Sequence, residues 1–214
     1  MSAQPEKQQK PNSVTMPDGT VVTWESWKLG PVRKDGNKSK NSILRDDTEV
    51  AEYVQVGPEE AIGTAKGVWD LDVLENGRLM ATLPDNRVFT AAGVDRPKLV
   101  RAKKLDVEFG TSEEVLLEDD TPGGVRIVCE SSQNYVIEDM EGHKLGQFSG
   151  AKRGVITAEI QYDTKRGKAL PEDHKIFLTW VSRRVLDARQ VGSTWIMTVM
   201  LLLLIAYLAY VWVV

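Results

Sequence analysis

Residues 195–214 carry no charged side chain. They read Trp-Ile-Met-Thr-Val-Met-Leu-Leu-Leu-Leu-Ile-Ala-Tyr-Leu-Ala-Tyr-Val-Trp-Val-Val. As a helix rising about 1.5 Å per residue, the run reaches roughly 30 Å, the thickness of a bilayer's hydrocarbon core. Trp195 stands at one end, and Tyr207, Tyr210 and Trp212 toward the other. Indole and phenol rings prefer the headgroup level, so that placement suits a spanning helix. The other reading is a core helix, apolar all round. The span is favoured because Leu, Ile and Val each contribute about −0.3 to −0.6 kcal/mol to insertion.

A topology is expected from this. The N-terminus, Met-Ser-Ala-Gln-Pro-Glu-Lys-Gln-Gln-Lys-Pro, is polar and holds no apolar run of a secretory signal. The insertion signal is then the C-terminal helix, and the expected arrangement is a tail-anchored, single-pass membrane protein. Arg183, Arg184 and Arg189 precede the span and no Lys or Arg follows it, which puts residues 1–190 on the cytosolic side. Lys165, Arg166 and Lys168 join them as a juxtamembrane basic set facing anionic headgroups. The expected partners are the lipid bilayer and a protein in or at the membrane. A formal net charge of −4 speaks against nucleic acid. Cys129 is the one cysteine, so no intramolecular disulfide forms, in keeping with a reducing compartment.

Ahead of the anchor the pattern is β. Residues 1–13 read as a disordered polar tail and 14–170 as a β-rich domain. Val21, Val22, Thr23, Trp24 and Trp27 mark one strand, and Thr48 to Val56 another. Trp69, Leu71 and Val73 alternate with Asp70 and Asp72, and Asn76-Gly77 is a hairpin signal that sets Glu75 opposite Arg78. Residues 31–42, with Arg33, Lys34, Lys38 and Lys40, read as a basic exposed loop that is solvated or meets headgroups. Basic residues 98–104 and acidic residues 113–120 are expected to pair as neighbouring strands. Further strands fall at 105–109, 125–129, 134–138, 145–148 and 155–162. The period then changes. Pro171, Glu172 and Asp173 open a helix over 171–190 whose apolar stripe is Ile176, Phe177, Trp180, Val181 and Val185. That amphipathic helix either closes the core or lies in the headgroup plane, and residues 190–194 form a joint before the anchor. The expected fold is mainly β, an antiparallel sandwich or barrel, with one amphipathic helix and one C-terminal transmembrane helix. Trp24, Trp27, Trp69 and Trp180 supply core packing or contact surface.

Catalytic and metal signatures are missing. The two histidines, His143 and His174, and one cysteine have no zinc-ligand spacing. Asp139-Met140-Glu141-Gly142 lacks the alternating ligands and closing glutamate of a calcium loop, and reads as a turn. No nucleophile elbow, P-loop or dinucleotide fingerprint occurs. No cofactor is expected, and a membrane-tethered enzyme is the third functional reading.

The stretch Tyr135-Val136-Ile137-Glu138-Asp139-Met140-Glu141-Gly142-His143-Lys144-Leu145-Gly146-Gln147-Phe148, followed by further strands and an apolar C-terminal helix, resembles the tubby-like superfamily. That superfamily includes the phospholipid scramblases and the LURP-one-related proteins. The resemblance covers about residues 125–214. It implies repeated hairpins and a C-terminal helix threaded through a β-barrel, with lipid binding or handling as the role. From the residues themselves the first functional expectation is binding or scaffolding at a membrane, as an accessory subunit of a larger complex.

Overall fold

A computed structural model of the chain describes residues 12–95, 102–110, 123–131, 134–150 and 158–213, with side chains left out at 189–198, 206 and 209–213. Short strands joined by tight turns follow one another along it. They are β1 (Asn12–Thr15), β2 (Val21–Leu29), β3 (Arg33–Asp35), β4 (Lys38–Arg45), β5 (Thr48–Val56), β6 (Glu59–Thr64) and β7 (Gly67–Val73). Then come β8 (Leu79–Thr82), β9 (Val88–Gly93), β10 (Lys104–Phe109), β11 (Gly124–Cys129), β12 (Asn134–Asp139), β13 (Lys144–Ser149) and β14 (Glu159–Tyr162). Two helices end the chain, α1 (Lys165–Ala169) and α2 (Glu172–Val213).

Each strand from β4 to β14 pairs antiparallel with the next. β14 pairs with β2, and β2 pairs with β4 through Trp27↔Arg45, Lys28↔Leu44 and Leu29↔Ile43. Those three pairs close the sheet into a ring. β1 and β3 lie off it, so among the described residues the barrel has twelve strands. Closure removes the open edges that a flat sheet would expose. The period-2 pattern sends one face of each strand inward: Trp69 and Leu71, Phe89 and Ala91, Leu105 and Val107, Val125 and Ile127 are all buried.

The barrel is filled by α2. Residues 176–182 are consecutive, and each is at most 2% exposed. Seven residues cover nearly two turns, so the helix is walled on every side. Its contacts come from around the ring: Lys175 meets Glu25 of β2, Trp180 meets Glu60 of β6, Phe177 meets Phe89 of β9, and His174 meets Phe109 of β10. The helix therefore runs through the barrel. It begins at one end, here the base, where Asp173 pairs with Arg87. It leaves at the other end, the mouth, where Arg184 pairs with Glu60 and Leu186 lies against Gly150.

Several expectations change. The 171–190 helix is not amphipathic in place, because the positions that look like a polar face are buried and bonded. Thr179 donates to the Lys175 carbonyl, Ser182 to the Thr179 carbonyl, and Lys175 to Glu25. The joint at 190–194 is absent, and one helix runs from Glu172 to Val213. Gly192 is tolerated inside it at a cost near 1 kcal/mol relative to Ala. Residues 31–42 are not a loop but the β3–β4 hairpin and most of β4. Asn76-Gly77 makes a turn in which only Gly77 has positive φ, at 82°, and Leu74 rather than Glu75 bonds to Arg78. A tight Arg45–Thr48 turn is made instead by Asp46 and Asp47, with φ of 46° and 69°. Asn12 and Ser13 of the expected tail belong to β1; the tail's remaining residues, 1–11, lie outside the described residues, as do 98–101, 113–120 and 155–157.

Trp180 is the largest described side chain on α2 and is 1% exposed. Trp180→Ala is expected to cost about 3–5 kcal/mol, read from chemical unfolding monitored by circular dichroism. A loss under 1 kcal/mol would mean that the ring does not close on this residue.

Candidate functional site

The barrel presents two polar ends. At the base, Glu25 is held by Lys175 at 2.9 Å and by the Trp27 indole N–H. Burial pushes the Glu25 carboxyl up, but the Lys175 and Trp27 hydrogen bonds and the Lys175 and Arg45 charges outweigh it, so it lies below the usual range. Burial lowers the Lys175 ammonium, and Glu25 restores only part of that. Beside them Arg87 bridges Asp85 at 2.7 Å and Asp173 at 2.6 Å. His174 stacks on Phe109 with ring centres 3.7 Å apart. These contacts clamp the first turns of α2. Burial, helped by Arg87, lowers His174 to about 4 against the opposing pull of Asp173.

Three ligand-type side chains meet at the β12–β13 turn, where Asp139, Glu141 and His143 offer atoms within 4.8 Å of one another. Arg166 already occupies that space. Its Nη1 lies 2.9 Å from Asp139 Oδ2 and 3.0 Å from His143 Nδ1. Asp139 also accepts the His143 backbone N–H, which locks the turn. The cluster reads as a salt-bridged corner, in agreement with the turn expected from sequence.

The mouth differs. Here α2 emerges between β4, β5 and β6, and Trp180 donates to Glu60 at 3.2 Å. Arg184 pairs with the same carboxylate, whose side chain is 5% exposed. Arg183 turns back to Asp187 at 2.8 Å, one helical turn on. Between the helix and the strands lies a cavity of about 140 Å³, lined by Ser39, Asn41, Tyr53, Gln55 and the two arginines among others. Burial raises the Tyr53 hydroxyl pKa, with Arg184 opposing. A second cavity, about 270 Å³, lies across β12, β13 and β14 between Glu130, Asn134, Gln147, Glu159 and Gln161. Neither cavity has a histidine or cysteine on its wall.

Beyond the mouth α2 continues, and its described side chains from Met200 onward lie bare. Met200, Leu201, Leu202, Leu203, Leu204, Ile205, Tyr207 and Leu208 are each at least half exposed. Six of these are consecutive, so the apolar surface faces every direction. Among the described residues no helix is long and apolar enough to cross a membrane. Trp195, Tyr210 and Trp212, expected to mark the span, and Arg189 have side chains outside the described residues.

The juxtamembrane set of basic residues divides. Arg183 and Arg184 stand at the mouth. Lys165, Arg166 and Lys168 sit on α1 at the base, where Lys168 donates to the Thr23 carbonyl at 2.9 Å. Glu172 and Arg184 share one helix, which separates the two groups by about 18 Å at 1.5 Å per residue. Nearness in sequence to residues 195–214 does not bring the two groups together, because the barrel is threaded between them. Arg33, Lys34, Lys38 and Lys40 are further cations toward the mouth, carried there by the β3–β4 hairpin. Comparison with protein-family models, curated proteins and solved structures returns no match.

His174 gives the base a pH dependence. Its folded pKa, about 4, lies below the unfolded 6.5, so between these values the unfolded chain binds more protons. Stability therefore falls as pH drops from 6.5 toward 4, by on the order of 3 kcal/mol from this residue. His174→Phe keeps the stack on Phe109 and is expected to shrink the difference in unfolding free energy between pH 7 and pH 4 by about that amount. Identical pH profiles for the two proteins would refute this role.

Proposed function

We propose that this chain is a tail-anchored membrane protein in which the outer half of α2 enters the bilayer and the barrel is presented on the cytosolic face for binding or scaffolding. The observation that carries the reading is the bare apolar helix beyond the mouth, uncharged from 195 to 214. An exposed apolar surface of that extent calls for cover, and an apolar rod with no polar face fits acyl chains better than a groove that buries one side. Arg183 and Arg184 at the mouth agree with a cytosolic barrel by the positive-inside bias. The role that follows is an accessory subunit holding a β surface near a membrane partner.

A second reading has its own support. A closed barrel with a helix through its centre is the arrangement that the tubby-like resemblance implies, and that superfamily's role is lipid binding or handling. The two readings share the membrane and differ in what the barrel does there. A membrane-tethered enzyme has less support, since neither described cavity gathers a histidine or cysteine.

Alkaline carbonate extraction of membranes tests the anchor. The full-length protein is expected in the pellet. Leu203→Arg with Leu204→Arg, each charge costing about 2.5–3.5 kcal/mol at a span's centre, is expected to move it to the supernatant. Recovery of the unaltered protein in the supernatant would overturn the reading.

A further inference from the structure

We propose that the outer face of β6 and β7 docks a Lys- or Arg-bearing polypeptide segment on the cytosolic flank of a neighbouring membrane span. This rests on the membrane reading above and gives the scaffold a surface and a kind of partner.

The register assembles the face. Val54, Ala61, Asp70, Thr82 and Val88 stand opposite one another across β5 to β9. One step nearer the base, Glu52, Gly63 and Val68 do the same. All project away from the core, because Ile62, Trp69 and Leu71 take the alternate positions and are buried. Val68 is 63% exposed and Val88 38%. This low apolar floor is set among acids. Strands β5 to β9 contain no Lys or Arg. Arg33 answers Glu49 and Glu52 at 3.7 Å. Glu59, Asp70 and Asp72 are exposed and form no ion pair among the described residues.

Gly63 adds an independent sign of close approach. Glycine inside a strand costs backbone entropy and packs nothing. The barrel makes no use of it here. The ladders on both sides of Gly63 run without a register shift, and its φ is not left-handed. An added Cβ would meet only the Glu52 carbonyl oxygen, at 3.8 Å, which is ordinary contact. The missing side chain instead leaves a flat spot between Glu52 and Val68 where a second backbone can come near.

Charge and reach select the partner. Anionic headgroups repel an acidic face, so its partner is not the lipid surface. The cytosolic flanks of membrane spans carry excess Lys and Arg within about 15–20 residues of the span. Leu71 lies opposite Glu60, which pairs with Arg184, so Asp70 and Asp72 sit at the height of Arg184. From Arg184 to Trp195, where the uncharged run begins, the helix rises about 16 Å. An extended flank covers that height in about five residues, well inside the basic window.

The test uses the full-length protein. In mild detergent, fluorescence anisotropy follows a short peptide alternating Lys and Val, beside Lys-Ser and Glu-Val versions. The Lys-Val peptide is expected to bind at least about tenfold tighter than either control. Asp70→Asn with Asp72→Asn should weaken it by about tenfold, as loss of two exposed charges predicts. Gly63→Tyr should weaken it as much while leaving the unfolding midpoint unchanged or higher, because only an approaching backbone meets the new ring. Glu130→Gln with Glu141→Gln removes the same charge from elsewhere on the barrel and should leave binding intact. In phosphatidylcholine vesicles, energy transfer from the barrel to a synthetic leucine span is expected when the span's flank is Lys-Val and not when it is Ser-Val. A Lys-Val peptide bound no tighter than a control would overturn the face. So would undiminished binding in the Asp or Gly63 variants, a lowered midpoint in Gly63→Tyr, or an equal loss in the Glu variant. Peptide binding in detergent without energy transfer in vesicles would overturn the membrane flank as the source. Carbonate extraction separates these failures from that of the anchor: protein that stays in the pellet but binds no peptide keeps its anchor and loses this face.

Discussion

A helix surrounded on every side by a closed sheet cannot satisfy its backbone anywhere but within itself. Its N–H and C=O groups face a mostly apolar wall, so nearly all must be matched within the helix, two carbonyls also accepting from Thr179 and Ser182 of the helix itself. The ring imposes helix on residues 174–188, and the helix fills a twelve-strand ring that would otherwise enclose an empty centre. Phe177 and Trp180 do most of this filling, with Phe89, Phe109, Trp69 and Trp27 reaching in from the strands. Neither part is a core alone. This mutual dependence also explains why α2 does not end at the mouth: its axis is already set, and Gln190 to Thr194 hold no proline to break it.

Polar residues on the helix set its depth and rotation. Lys175 reaches Glu25 at the base and Arg184 reaches Glu60 at the mouth, on strands β2 and β6. One rotation and one height satisfy both. Buried ion pairs add little net stability over apolar packing, but an unmatched member costs several kcal/mol. A helix slipped by one turn would strand both charges. The pairs therefore act against wrong registers more than for the right one, and they fix which way the apolar half of α2 points.

The β character was legible because strands with one inward face keep a period of two. Trp69 and Leu71, buried on one face of β7, show it directly, while Val73 on the same face is exposed near the mouth. β5 lies where the β-branched run put it, from Thr48 to Val56. What the sequence hid has physical causes. β4 looks like a loop because its inner face, Ser39 and Asn41, meets a polar cavity rather than the apolar core. The Asp46-Asp47 turn looks like solvated acids because left-handed backbone favours Gly and Asn first and Asp only after them. The helix looked amphipathic because Lys175, Thr179 and Ser182 resemble a wet face, and their partners lie far away in the chain or within the helix. The mouth cavity was out of reach, since Tyr53 and Arg184 meet only when β5 and α2 are packed. Its cations were visible as types, but their division between the two ends was not.

The account turns on a single rod that is barrel core near its start and, among the described side chains, bare and apolar from Met200 to Ile205 and at Tyr207 and Leu208. Spin labels at Glu172→Cys and Tyr207→Cys, in a Cys129→Ser background, measure it directly by pulsed electron resonance. An unbroken helix puts the labelled backbone positions about 52 Å apart at 1.5 Å per residue, with a narrow distribution. A broad distribution centred well below that distance would show a break between barrel and tail, and would contradict the account.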